Sequence, residues 1–239
     1  MILSTDYQQN AVLPRTEATV IWQQIRTDLT HCLQSLPVAY PSVGKVRPNK
    51  WACAALLARV EAQLGNWTEV EMYCSQIIQS GLYQLDSNPE TVFIKDNLET
   101  IWEIASPNEA SNTDQGMLFI PFTATTIPSF ILSPALYNLF EPGDLRMQHW
   151  IGTVMIGTQP YHYPFKYKQR QPTSPVSENN IALRLSEIYL LRSEARTLLS
   201  NFNGAREDLD SVRLRAGLIP ISAGSRSEER RVGKECRSR

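Results

Sequence analysis

The chain has 239 residues, a formal net charge of -1 and 42% hydrophobic residues, the profile of one large globular domain or two small ones. Near-balanced charge argues against a nucleic-acid binder, which would usually show a basic stripe, so no nucleic-acid partner is expected. No apolar run is long enough to cross a bilayer as a helix.

The first ten residues, MILSTDYQQN, hold no basic n-region and no sustained apolar stretch, so no leader is read at Met1. Residues 1–15 read as irregular. Glu17 to Leu36 is a predicted helix with Ile21, Ile25, Leu29, Cys32 and Leu36 on one face, stopped by Pro37. After a connector from Pro41 to Pro48, Asn49 serves as N-cap for a helix that runs to Leu64. Gly65-Asn66 breaks the chain. The next helix places Val70, Tyr73, Cys74, Ile77 and Ile78 at the i, i+3, i+4, i+7, i+8 spacing of an amphipathic face. Cys32, Cys53 and Cys74 read as small buried hydrophobes on these helices. With Cys236 and only His31, His149 and His162 besides, no metal or CxxC spacing arises, and neither a metal nor a cofactor is expected.

From Tyr83 to Phe93 the helical pattern is lost through Asp86, Asn88 and Pro89. TIWEIA, Thr100 to Ala105, alternates as a short strand does. Pro107 to Gln115 is polar and reads as a mobile surface loop. The apolar stretch after it is interrupted by Pro121, Pro128 and Pro134. Within it, Ser133-Pro134 is the cap and first-turn pair of a short helix ending near Phe140. Glu141-Pro142-Gly143-Asp144 is a turn, and Thr153 to Ile156 is extended. Gly157 to Ser177 reads as surface loop and short strand.

Asn180 to Leu218 reads as two helices. Leu183, Ile188, Leu191, Ala195, Leu198 and Leu199 give the first its apolar side, and the break falls at Ser200 to Gly204. Ala205, Leu209 and Val212 line the second, and Gly217 ends it behind Arg213 and Arg215. Aligned on the turns, Gly65-Asn66-Trp67 falls on Ser200-Asn201-Phe202, and Val70 on Ala205. Small residues near a turn, with Trp67 or Phe202 plugging the gap, are the grammar of a tetratricopeptide-like hairpin. Beyond Gly217 apolar periodicity disappears, so 219–239 is expected to be a disordered or non-native tail. The expected fold is therefore mainly α: tetratricopeptide-like helical hairpins with a loop-rich insertion containing short strands. Within one domain, 1–218, residues 16–83 are helical repeats, 84–178 the insert and 179–218 the closing hairpin.

Arg184 and Glu187 lie three apart on a predicted helix and are expected to form a structural pair. No Ser-His-acid order or G-x-S-x-G elbow is present, and no glycine-rich phosphate loop. Glycoside hydrolysis needs two facing carboxylates, which the sequence does not bring together. Catalysis is not expected. Carbohydrate binding needs aromatic faces and a rim of amides and carboxylates. The aromatics of the insert are Trp102, Trp150, Tyr161, Tyr163 and Tyr167, with Asn108, Asn112, Asp114 and Gln115 nearby in the chain. Trp102, between Ile101 and Glu103-Ile104, reads as core. The ligand-binding candidates are Trp150, Tyr161, Tyr163, Asn112 and Asp114.

Four stretches together resemble the SusD/RagB family of bacterial outer-membrane nutrient-binding lipoproteins. They are KWACAALLARVEAQLGNWTEVEMYCSQIIQSGLYQL, ETIWEIA, the FKY of Phe165 to Tyr167, and NNIALRLSEIYLLRSEARTLLSNFNGAREDLDSVRLRAGL. Arg184, Glu187, Tyr189, Glu194 and Ala195 stand at that family's RxxE and AEA-like positions, and Arg213, Arg215, Ala216, Gly217 and Leu218 match its VRxRAGL end. The resemblance covers Glu17 to Leu218. It implies a SusD-like fold, capture of an oligosaccharide or other nutrient without bond cleavage, and a SusC-like TonB-dependent outer-membrane barrel as partner. It also implies a surface-exposed place at the cell outer membrane. The family's lipidated cysteine and its closing arginine-rich segment are not found, so the chain reads as an internal part of a longer lipid-anchored protein. The alternatives are a tetratricopeptide-type interaction scaffold and a surface glycoside hydrolase; the long aromatic insert favours the nutrient binder over the scaffold.

Overall fold

The computed structural model describes residues 4–106 and 112–221. In chain order the elements are α1 (Tyr7–Ala11), α2 (Ala18–Ser35), α3 (Lys50–Leu64), α4 (Trp67–Gln79), β1 (Thr100–Ile104), α5 (Asp114–Phe119), α6 (Pro134–Tyr137), α7 (Leu145–Trp150), β2 (Ile151–Ile156), β3 (Gln159–Pro164), β4 (Asn180–Arg184), α8 (Leu185–Leu198) and α9 (Phe202–Arg215). The fold is mainly helical, with tetratricopeptide-like hairpins and two small strand pairs set in the insert and at its ends.

The helices form one row. Helix α2 packs on α3, α3 on α4, α4 on α8, and α8 on α9. Two hairpins far apart in sequence are thus joined through α4. Ala52, Ala54, Ala55 and Ala58 of α3 are fully buried, and side chains that end at Cβ let neighbouring backbones come close. Val70, Cys74 and Ile77 of α4 meet Ile188, Leu191 and Ala195 of α8 in the main core, while Ala205 and Leu209 of α9 pack against Leu190 and Ile221. The start of α3 follows from its cap. Asn49 Oδ1 accepts from the backbone N–H of Trp51 at 3.0 Å and Ala52 at 3.1 Å, which satisfies two donors with no intrahelical partner.

The two hairpin turns are the same motif. Asn66 N donates to Glu61 O at 2.9 Å and Gly65 N to Ala62 O at 3.2 Å; Asn201 N donates to Arg196 O at 2.7 Å and Ser200 N to Thr197 O at 3.1 Å. This six-to-one closure requires a left-handed residue after the helix, supplied by Gly65 at φ 78° and by Ser200 at φ 63°.

Several expectations need correction. Leu183 belongs to strand β4, and α8 begins two residues later. Leu198 and Leu199 are exposed. Phe202 is 42% exposed and does not plug its hairpin, whereas Trp67 is half-buried against the main core. Cys32 is exposed, although Cys53 and Cys74 are buried. Polar groups do what Phe202 does not: Arg192 grips Asp208 with two bonds of 2.9 and 2.6 Å, Arg196 reaches Asp208 at 3.0 Å and Glu71 at 2.8 Å, and Ser193 Oγ donates to Ala205 O at 2.6 Å.

The insert is closed at its ends by antiparallel pairing of β1 with β4, in which Glu103 faces Ile181 and Ile104 faces Asn180. Within it, β2 and β3 form a hairpin. Three helices were not expected: α1 lies in the stretch 1–15 read as irregular, α5 begins in the last two residues of the predicted mobile loop and runs into the apolar stretch after it, and α7 precedes β2. Residues 107–111 of that predicted loop, Asn108 among them, lie outside the described residues, as do 222–239 of the predicted tail. The first tail residues are attached: Ile221 N donates to Asp210 Oδ1 at 2.8 Å and Arg213 Nε to Ile219 O at 3.1 Å. Among the described residues no helix is long and apolar enough to cross a membrane.

Candidate functional site

Where the helical row meets the insert there is a cavity of about 410 Å³, within the range of about 300–1,000 Å³ usual for small-molecule sites. Arg59 of α3 and Glu187 of α8 come from the scaffold. Gln115 and Phe119 of α5, with Pro164, Lys166 and Tyr167, come from the insert. Phe93 and β4 residues 181–184 complete the lining.

Beneath it sits a small aromatic cluster of Phe93, Trp150 and Tyr167. The Phe93 ring meets Trp150 edge-on at 5.3 Å and Tyr167 at 5.4 Å. Trp150 is 7% exposed, and its Nε1 donates to Pro89 O at 2.6 Å. Cations gather on these rings. Lys166 Nζ lies 5.6 Å from Phe93 and 5.5 Å from Trp150; the Arg184 guanidinium lies 5.2 and 5.4 Å from the same rings; Arg215 lies 5.8 Å from Trp150. Such contacts are favourable because the ring face is negative, most of all where water is excluded. The Tyr167 hydroxyl accepts from Ile181 N at 2.9 Å, and burial pushes its pKa up, so it stays a neutral phenol.

Ion pairing at the cavity differs from the sequence expectation. Arg184 ends β4 and does not pair with Glu187. Glu187 is instead held bidentately by Arg59, at 2.5 and 2.6 Å, and Arg59 also donates to Ala182 O at 3.2 Å. Arg184 Nη1 stands 3.5 Å from Glu99 Oε1, while Glu99, fully buried, accepts from Arg215 Nη1 at 2.6 Å. The Nη1 of Arg184 is buried and makes no hydrogen bond among the described residues.

Buried polar residues hold the insert side in place. Asn112 donates to Thr173 Oγ1 at 2.8 Å and accepts from Ser177 N and Glu178 N, each at 3.1 Å. The Glu178 carboxylate accepts from Lys168 N at 2.6 Å and Gln169 N at 3.2 Å, and burial raises its pKa. Helix α5 is capped by Thr113, whose Oγ1 accepts from Gly116 N at 3.1 Å. A Cβ at Gly116 would stand 2.3 Å from Gln169 O, so only glycine lets α5 lie this close to the chain behind Lys168. Arg170 closes the other end of α5 by donating to Met117 O and, at 2.7 Å, to Ile120 O.

None of the five sequence candidates lines this cavity. Trp150 lies under it, as a support for its cations. Asn112 is buried and engaged with the chain at 171–178. Asp114 is exposed at the start of α5, next to Gln115 of the lining. Tyr161 and Tyr163 are half-buried on β3. The Tyr163 ring lies across Gly152, its partner on β2, where an added Cβ would stand 2.2 Å from it. His162, between them, stacks on Tyr137 at 3.9 Å, beside an open cleft of about 660 Å³ formed by Tyr137, Phe140, residues 141–144 and β2. Sequence reading missed Arg59, Phe93, Phe119 and Lys166, and named Gln115 among the amides near the insert's aromatics without choosing it as a candidate. A signal for Lys166 was present: a lone cation between two aromatics in FKY. Arg59, Phe93 and Phe119 sit in stretches that gave none.

Residues 151–235 match the model of the SusD family. A SusD-like protein of Formosa agariphila is 31% identical over 96 residues, covering 39% of this chain and 18% of that protein. Among solved structures, the fold matches a SusD-like carbohydrate binding protein from Bacteroides vulgatus with TM-score 0.77 and 21% identity, over 98% of this chain and 50% of that one. A SusD superfamily protein from Parabacteroides distasonis matches with TM-score 0.77 and 18% identity, over 93% and 56%. The chain therefore spans about half the length of these solved structures.

Proposed function

We propose that the chain, whose residues 151–235 match the SusD family model, is a SusD/RagB-type protein that binds a nutrient, a glycan before other classes, at the bacterial cell surface, as partner of a SusC-like TonB-dependent outer-membrane barrel. The observation that carries the reading is the cavity between scaffold and insert, where ring faces and polar side chains converge on a ligand-sized space. A rigid helical row supplies the support and irregular chain the contacts, the usual division of labour at binding sites. The similar protein from Bacteroides vulgatus is described as carbohydrate binding, and a surface glycan-binding protein from Bacteroides uniformis shares the fold with TM-score 0.70. Gln115, Lys166 and Arg184 are the proposed ligand contacts. Tyr161, Tyr163 and Asp114 are proposed as outer contacts, with Trp150 and Asn112 holding the site from behind. Capture would end in delivery to the barrel with no bond broken.

A glycan array probed with the purified chain tests this reading. Binding of at least one oligosaccharide without its cleavage is expected; release of shorter products would replace the binder with a hydrolase. The scaffold reading has its own supporting feature, a groove of about 750 Å³ between α2, α3 and α8 with Trp22, Ile25, Leu29 and Leu56 on its walls. Co-purification with the barrel should be reduced by Ile25→Ser if that groove is the partner's seat, and unchanged if it is not.

A further inference from the structure

The cavity's charges do not balance. Its lining holds three cations, Arg59, Lys166 and Arg184, and one carboxylate, Glu187. Arg59 and Glu187 satisfy each other through two short bonds. The carboxylate within ion-pair reach of Arg184 is Glu99, and that one is already bonded to Arg215. Among the described residues Lys166 has aromatic rings within reach and no carboxylate within ion-pair distance; the charges that bear on it, Arg184 and Arg146, are both positive. Arg146 is itself held by Asp144 at 2.7 Å. Among the described residues Glu99 is thus the one carboxylate within ion-pair distance of Arg184 and Arg215, with Glu187 and Asp86 bearing on them from further off, and Lys166 adds a third cation at this partly enclosed space.

Such an excess is unfavourable in the empty site, above all at Arg184, whose Nη1 is withdrawn from water without a hydrogen bond among the described residues. An incoming anion removes that penalty. The unsatisfied groups are also donors only: lysine and arginine carry no acceptor, and Arg184 Nη1 is a buried donor without a bond. A neutral sugar hydroxyl accepts weakly, whereas a carboxylate or sulfate offers several charged oxygens in a geometry that suits a guanidinium edge. We infer that this cavity takes an acidic saccharide, one bearing a carboxylate or sulfate group, and seats that group against Lys166 and Arg184. The inference rests on the cavity being the ligand site and adds the chemical class of the ligand.

Calorimetric titration of the whole chain with an oligogalacturonate, a sulfated galactan oligosaccharide and a neutral galactan oligosaccharide of equal length tests it. An acidic probe should bind at least about tenfold tighter than the neutral one, with affinity falling as salt rises; whichever acidic probe binds tighter identifies the group. Arg184 is tied into β4 and Glu99, so its substitution risks the fold. Lys166 is exposed, and Lys166→Gln should leave the melting temperature unchanged while reducing the acidic preference to within about threefold. Equal binding of acidic and neutral probes overturns the acidic class and leaves the glycan-binding reading standing. An acidic preference that survives Lys166→Gln overturns the seat. Failure of every probe, with a positive glycan array for some other neutral glycan, overturns the class alone; failure on the array as well removes both readings.

Discussion

Ser200 occupies a left-handed backbone conformation, φ 63°, at the turn where the equivalent hairpin has Gly65. A side chain there costs about 1 kcal/mol relative to glycine, so Ser200→Gly should raise stability by roughly that amount in urea denaturation. Gly217 is the opposite case. It has φ 76°, and a Cβ would stand 2.8 Å from the Leu145 side chain, so any substitution there strains both the backbone and the contact with α7. Trp150 belongs to the same scale. Buried, hydrogen-bonded to Pro89 and overlain by three cations, it should cost about 3–5 kcal/mol when changed to Ala. Loss of ligand binding in that variant would report a collapsed support, so Lys166→Gln is the cleaner probe of contact. Glu103 gives a pH dependence. It is fully buried, accepting from Asn179 Nδ2 at 2.8 Å and Asp96 N at 3.2 Å. Burial raises its pKa in spite of those bonds. The folded state therefore holds this proton more tightly than the unfolded chain does. The associated stability is present below the ordinary carboxyl range and is lost as pH rises through the raised value. As pH rises above the ordinary carboxyl range, denaturation midpoints of the natural protein should fall relative to those of Glu103→Gln; parallel curves would contradict this.

At the scale of elements, the α8–α9 hairpin is held by its ions as much as by its apolar face. Asp208 is 2% exposed and receives both Arg192 and Arg196. Asp208→Ala leaves Arg192 buried without its counter-charge, and about 3–5 kcal/mol of destabilisation is expected. Replacing the pair together, Arg192→Met with Asp208→Leu, should recover most of that loss in the same denaturation assay. The hairpins themselves were legible, because short-range helical spacing and a shared turn motif are local facts. Leu183 was misplaced for a related reason: a buried strand residue five positions before Ile188 fits a helical stripe as well as a strand. The pairing of Arg184 with Glu187 failed with it, since Arg184 precedes the helix. Helix α5 left little trace in sequence. It has six residues with glycine in its middle, and it exists because Thr113 caps it, Arg170 closes it and the Gln169 backbone packs on Gly116. Asn112 looked like a surface amide because its partners lie about sixty residues further along, and no local pattern announces such a bond.

Over the whole molecule, two hairpins separated by the insert meet through α4 and α8, and β1 pairs with β4 so that the insert leaves and rejoins the scaffold at one place. The cavity lies on that seam and draws lining from α3, α5, α8, β4 and the FKY stretch. A ligand seated there touches parts of the chain that are otherwise joined mainly by the β1–β4 pair and buried polar bonds. Ligand at a hundredfold excess over its Kd should stabilise the fold by about 2.7 kcal/mol, seen as a rise in melting temperature. The helical row, its turns and its family resemblance could be read from sequence. The site could not, because it is assembled from residues that only the closed insert brings together.

Hydrogen–deuterium exchange of the chain with and without saturating saccharide tests most directly that this seam is the binding site. Slowed exchange is expected at residues 115–119, 164–168 and 181–184, with little change in α2. Protection confined to the β2–β3 hairpin or to the groove beside α2, with those three stretches unchanged, would contradict it.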